Sequence, residues 1–174
     1  MTHAVKNRGT LEVTTPSDRE IAMTRVFDAP RSMVFDAWTR PELLKRWLGV
    51  RKGWTLAVCE IDLRVGGEYR YVWRKDNGTE MGMRGVYREI VRPERIVCTE
   101  VFDDKWYEGE AVDTMVLVEE NGKTTLTTTV LYDSKDARDG VLKSPMATGV
   151  GESYDKLDEV LADSRFEPAD GTTR

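Results

Sequence analysis

Glu100 is the residue whose chemistry depends most on where it points. Arg95–Phe102 alternates as a strand, and on one parity Glu100 lies between Cys98 and Phe102. Turned inward, it places a carboxyl group in an apolar wall. Such a group must be protonated, or paired with an Arg or a Tyr hydroxyl. It could then orient a ligand or shuttle a proton, with Tyr87 as a second proton carrier. An edge-exposed Glu100 is the plainer alternative. Other chemistries are poorly supplied. The single histidine, His3, lies in a polar stretch, so Ser–His or Cys–His nucleophile pairs are excluded, as are histidine-rich zinc sites. The two cysteines, Cys59 and Cys98, sit inside separate strand patterns and cannot close a thiolate metal site. They are expected as buried spectator thiols, a disulfide being the alternative. No metal and no cofactor is expected. Any catalysis would rest on carboxylates, Tyr, Lys, Arg or bound water.

Around Glu100 the strand patterns put large soft side chains on shared faces. Tyr69, Tyr71 and Trp73 share one, Met81, Met83, Gly85 and Tyr87 another, and Cys98, Glu100 and Phe102 a third. Met115 lies in a strand apolar on both parities, so its inner face stays ambiguous. A C-terminal helical pattern brings Met146, Val150 and Tyr154 to one face, and Trp38 and Trp47 cap one end from two short helices. Apolar walls with few polar groups suit a small-molecule cavity. The expected ligand-binding set is therefore Trp47, Tyr71, Trp73, Met83, Tyr87, Glu100, Phe102, Met115, Met146, Val150 and Tyr154. Core packing is the alternative at each position. Gly149 and Gly151 cost a helix about 1 kcal/mol each relative to Ala, which suggests close approach by a strand, a ligand or a lid.

The elements that must position these residues follow from periodicity. Arg19–Phe27 alternates as a strand. Asp28 and Pro30 open a short helix to Thr39, and Pro41 starts a second that Gly49 ends. Six strands follow near Trp54–Asp62, Glu68–Lys75, Glu80–Ile90, Arg95–Phe102, Val112–Glu119 and Lys123–Tyr132. Their breaks carry Gly66-Gly67, Asp76-Asn77-Gly78, Arg92-Pro93-Glu94 and Asn121-Gly122, and such short links make neighbours antiparallel. Ser134 caps a final pattern, Lys135–Ala162, which Pro145 should kink or split. This order is α+β: a seven-stranded curved antiparallel sheet wrapped around a long C-terminal helix. Residues 19–163 form the domain, between polar tails at 1–18 and 164–174.

With 174 residues, a net charge of −5 and interspersed basic and acidic residues, the chain shows no nucleic-acid footprint. No apolar run is long enough for a membrane span, and no export signal is evident. The cysteine usage then suggests a cytoplasmic protein.

The stretch from Val26-Phe-Asp-Ala-Pro-Arg-Ser through Leu43-Leu-Lys-Arg-Trp47 resembles the opening signature of bacterial relatives of the heat-shock protein 90 ATPase activator. Asp62-Leu-Arg-Val-Gly-Gly67, Gly85–Ile96, and Leu142–Pro145 with Leu157–Leu161 resemble three further blocks in the same order. The resemblance spans roughly Arg19–Ala162. It implies the helix-grip fold of the START-like superfamily (SRPBCC, polyketide cyclase and Bet v-like proteins), a cavity between sheet and helix, and a link to stress response. It carries over no catalytic set. The eukaryotic activator's extra N-terminal domain has no counterpart before Arg19, which weakens the case for direct chaperone activation.

Three functions compete. The first is binding of a hydrophobic small molecule, apolar or aromatic and lipid- or polyketide-like. The second is a cyclase or hydratase using Glu100 or Tyr87. The third is a chaperone-activator-like interaction module. A chaperone contact and a homodimer stay open as partners.

Overall fold

The computed structural model describes residues 10–163 and Phe166. The alternating segments all become strands: β2 (Glu20–Phe27), β3 (Trp54–Ile61), β4 (Glu68–Lys75), β5 (Glu80–Val91), β6 (Arg95–Phe102), β7 (Ala111–Glu120) and β8 (Lys123–Leu131). One strand was not expected. β1 (Glu12–Thr14) pairs antiparallel with β2 inside the supposed polar tail, so the sheet has eight strands rather than seven. Its three residues are too few and too polar to show a period. The order is β1-β2-β8-β7-β6-β5-β4-β3, antiparallel throughout. The chain therefore runs as a meander from β3 to β8, and β8 returns to pair with β2.

Among the described residues four helices complete the helix-grip fold: α1 (Arg31–Thr39), α2 (Pro41–Leu44), α3 (Lys135–Leu142) and α4 (Met146–Ala162). Pro30, rather than Asp28, holds the N-cap of α1, and no side chain caps it there. The first free amide, that of Arg31, instead donates to Glu119 Oε1 of β7 at 2.7 Å. α2 is one turn long, and Trp47 lies in the turns beyond it. Pro145 splits the final pattern into α3 and α4, occupying the N-cap of α4. Ser134 caps α3, accepting from the Ala137 amide at 3.0 Å. Gly149 and Gly151 mark no close approach: a Cβ at Gly149 would meet only Arg51 Nη1, at 3.5 Å, and one at Gly151 nothing within 4 Å. Phe166 is buried in the main core although it follows the expected domain end. The remaining tail expectations, at 1–9, 164–165 and 167–174, lie outside the described residues. No described helix is long and apolar enough to cross a membrane.

The inner face of the sheet is set by strand parity. On β2 it carries Ile21, Met23, Arg25 and Phe27, all buried. Arg25 stands out there, a guanidinium 1% exposed in an apolar row. Its charge is met from above by α4: Asp158 Oδ2 lies at 2.5 Å and Asp155 Oδ1 at 2.9 Å from Nη2. Nη1 donates to the Gly151 carbonyl at 3.3 Å, and the guanidinium sits 5.5 Å over the Phe27 ring. These contacts fix α4 both along and across the sheet. One turn away, Tyr154 meets Phe27 edge-on at 5.4 Å. Replacing Arg25 by alanine is expected to cost about 2–4 kcal/mol in urea unfolding, with amide exchange rising first along α4. An unchanged midpoint would mean that apolar contacts alone seat the helix.

Candidate functional site

Strand parity turns aromatic and sulfur side chains from five neighbouring strands toward one point. β4 contributes Tyr69 and Tyr71, and β5 contributes Met83 and Tyr87. β6 adds Ile96 and Cys98, β7 adds Asp113 and Met115, and β8 adds Thr128. Trp38 of α1 closes the space. Together they bound a small cavity of about 70 Å³. Tyr69 lies 4.9 Å from the Tyr71 ring and 5.5 Å from that of Tyr87. Behind Trp38 stand Trp47, edge-on at 4.7 Å, and Tyr154 at 6.5 Å.

The wall at Tyr69 interrupts the sheet. Arg84 pairs with Val101 and Tyr87 with Cys98, and the register between them is bridged by side chains. The Tyr69 hydroxyl donates to the Thr99 carbonyl at 2.5 Å, and the Val86 amide donates to Thr99 Oγ1 at 2.9 Å. Gly85, opposite Tyr69, makes this possible. A Cβ there would stand 1.9 Å from the Thr99 oxygen and 2.5 Å from the Tyr69 ring. On the outer face of this seam lies an open groove of about 720 Å³, lined by Glu68, Tyr69, Arg70, Arg84 and Glu110 among others.

The polar end of the cavity is a carboxyl pair. Asp113 is opposite Cys98 across β6 and β7, and Glu100 is opposite Ala111, so the two acids are diagonal neighbours on one face. Buried side by side, the two carboxyl groups cannot both carry charge without a counter-cation, which favours one proton held between them. Tyr107, from the β6–β7 connection, donates its hydroxyl to Glu100 Oε2 at 2.7 Å and packs edge-on against Tyr132 at 5.1 Å. Burial raises the Glu100 pKa, and the bonds to Tyr107 and Asp113 pull it back in part. Burial and then the Glu100 charge push Asp113 well above the usual carboxylate range. The surrounding Tyr69, Cys98, Tyr107 and Tyr132 are all pushed up, first by burial and then by neighbouring charge. Tyr154 is held at about 12 by burial, and the Cys59 thiol at about 11. At neutral pH these hydroxyls and thiols are neutral. Cys59 and Cys98 are free thiols.

Three buried side-chain atoms around this cavity have no partner at hydrogen-bond distance among the described residues: Trp38 Nε1, Asp113 Oδ1 and Thr128 Oγ1, the last with the Tyr154 hydroxyl beside it. Each costs free energy if left unmet. The arrangement thus combines aromatic walls, a proton-sharing acid pair and unmet donors and acceptors.

The structure divides the expected site residues. Tyr71, Met83, Tyr87 and Met115 line the cavity. Glu100 points inward as the partner of Asp113, and Trp47 and Tyr154 back Trp38. Trp73 is elsewhere, donating Nε1 to the Leu48 carbonyl at 2.9 Å. Phe102 stacks on Trp106 at 5.3 Å. Met146 packs against a second apolar cluster around Ile21 and Val130, and Val150 against that cluster and the main core. The expected set lacks Trp38, Tyr69, Ile96, Cys98, Thr128 and above all Asp113. The available signal was parity: Asp113 shares its face with Met115 and Leu117. Tyr107 carried no such signal, because it lies between strands.

A family model described as "Activator of Hsp90 ATPase homolog 1-like protein" matches residues 28–162. A crystal structure of a Rhodobacter sphaeroides protein is 33% identical, with a TM-score of 0.83, covering 87% of this chain and 97% of that one. A Nitrosomonas europaea protein is 24% identical with a TM-score of 0.74, covering 84% and 96% of the two chains. A Mycobacterium smegmatis protein is 21% identical with a TM-score of 0.77, covering 87% and 98%. The last two likenesses show the fold alone. No curated protein sequence matches the chain at a significant level.

The acid pair also sets a pH dependence. Carboxyl groups with raised folded pKa values bind more protons folded than unfolded. Their stabilising effect is complete below the ordinary carboxyl range, at about pH 4, and is lost as pH rises through the raised values. Asp113→Asn, which keeps the shape and removes the titration, should exceed the wild type in stability at pH 8 by about 1–3 kcal/mol. That advantage should shrink toward pH 4 in thermal melts. Parallel profiles for the two proteins would show that the acids do not share a proton in the folded state.

Proposed function

Because the chain belongs to the activator of Hsp90 ATPase homolog 1-like family, whose fold serves many functions, we propose its function from the site itself: binding of a small molecule in the internal cavity. The observation that carries this is the convergence of three unmet buried polar atoms on one aromatic-walled space. A purely structural core would have apolar groups at those positions. Tyr69, Tyr71, Tyr87 and Trp38 would hold the apolar body of the ligand, and the acid pair its polar end. At about 70 Å³ the space holds a few waters or a small fragment. A lipid- or polyketide-sized molecule would need Met83, Met115 and Trp38 to move, and methionine is the side chain best suited to such movement.

One observation favours a second reading, an acid–base enzyme of the cyclase or hydratase kind. Glu100 and Asp113 together offer a proton and an acceptor at one place, as general acid–base chemistry requires. Contact with a chaperone rests on the family likeness.

The test is a thermal-shift and ligand-observed NMR screen of small aromatic and alicyclic molecules. It compares the wild type with Met115→Phe, which fills the cavity. Binders should raise the wild-type melting temperature and lose their effect in the variant. If nothing stabilises the wild type, or the variant responds equally, the cavity is not a receptor. Turnover of a binder that disappears in Asp113→Asn would establish the enzymatic reading.

A further inference from the structure

The unmet atoms also specify the chemistry of the ligand. Trp38 Nε1 is a donor only, whereas Thr128 Oγ1 gives and accepts. Asp113 Oδ1, beside a proton shared with Glu100, is chiefly an acceptor. A ligand that satisfies all three must accept from the indole N–H and donate to the carboxyl group.

Charge narrows the class. Two carboxyl groups stand at the polar end of the cavity, and no described Lys or Arg lines it. An anionic head would place a negative charge beside them in a buried space, without a counter-cation to answer it. An ammonium head would satisfy Asp113 but has no acceptor for the Trp38 N–H. A hydroxyl group accepts and donates through one oxygen and carries no charge. Trp38, Asp113 and Thr128 all line the same space of about 70 Å³. The walls of Tyr69, Tyr71 and Tyr87 suit a ring behind it once Met83 and Met115 move aside.

Building on the small-molecule reading above, we infer that the cavity selects neutral hydroxyl-bearing molecules, a phenol or a cyclic alcohol, and rejects carboxylic acids. The head oxygen accepts from Trp38 Nε1 and donates to Asp113 Oδ1, with Thr128 as the third contact.

The inference is tested with four probes of matched ring size: phenol, toluene, benzoate and benzylammonium. Affinities are measured by NMR titration at pH 7 on the full chain, in the wild type and in Trp38→Phe and Thr128→Val. Phenol should bind about tenfold more tightly than toluene, and benzoate should bind more weakly than either. Trp38→Phe keeps the ring and loses the N–H, and should weaken phenol about tenfold while leaving toluene unchanged. Thr128→Val should do the same to a smaller degree. Preferential binding of benzoate or benzylammonium, equal binding of phenol and toluene, or a loss of toluene along with phenol would overturn the inference and leave the receptor reading standing. Binding of none of the four would remove both.

Discussion

Arg25 carries a permanent charge at a position with almost no access to solvent, and Asp155 and Asp158 of α4 answer it. Their three-residue separation brings both acids to one face of the helix, above the guanidinium. That contact does more than neutralise a charge. It fixes where α4 lies on β2, and so where Tyr154 meets Phe27 and Trp38. Trp38 in turn forms the cavity wall contributed by α1. The interior space is thus what remains once a helix has been pinned at one end of the sheet. Apolar packing alone would slide toward closing that space, because each void forfeits contacts. A directional ionic anchor resists the slide.

Most of the fold was legible because its strands alternate and their turns carry Gly, Asn and Pro. Parity placed Tyr69, Tyr71 and Trp73 on one face, and all three are buried. The shortfalls have separate physical causes. β1 is three residues of mixed polarity and exists through pairing with β2, a tertiary effect. The turns around Trp47 replace helix because Gly49 takes a positive φ of 66° and lies against the Trp73 indole. In the site, Glu100 could not be oriented from β6 alone. Its inward position depends on a partner from β7, a strand apolar on both parities, in which Asp113 did not stand out. The cavity was expected beneath the final helix; instead the strands and Trp38 line it, because the anchor at Arg25 draws α4 over β2. Tyr107 reaches Glu100 from a connection without periodicity, which only three-dimensional closure reveals.

Sequence-local rules hold along most of this chain and fail together around the cavity. Two acids lie side by side, a sheet ladder is interrupted, and polar atoms are buried unmet. Each lowers stability on its own. Their concentration in one place fits a site where folding free energy is traded for recognition.

The seam at Gly85 has one more consequence. Tyr69 lines both the cavity and the groove on the far side of the sheet. The same ring closes the β5–β6 seam through Thr99. Nearby, Arg70 and Arg84 grip Asp103, where the connection bearing Tyr107 begins. Tyr69 is therefore tied to both surfaces. Any guest that displaces Tyr69 must also loosen a hydrogen bond of the sheet, so occupancy inside becomes a change of shape outside.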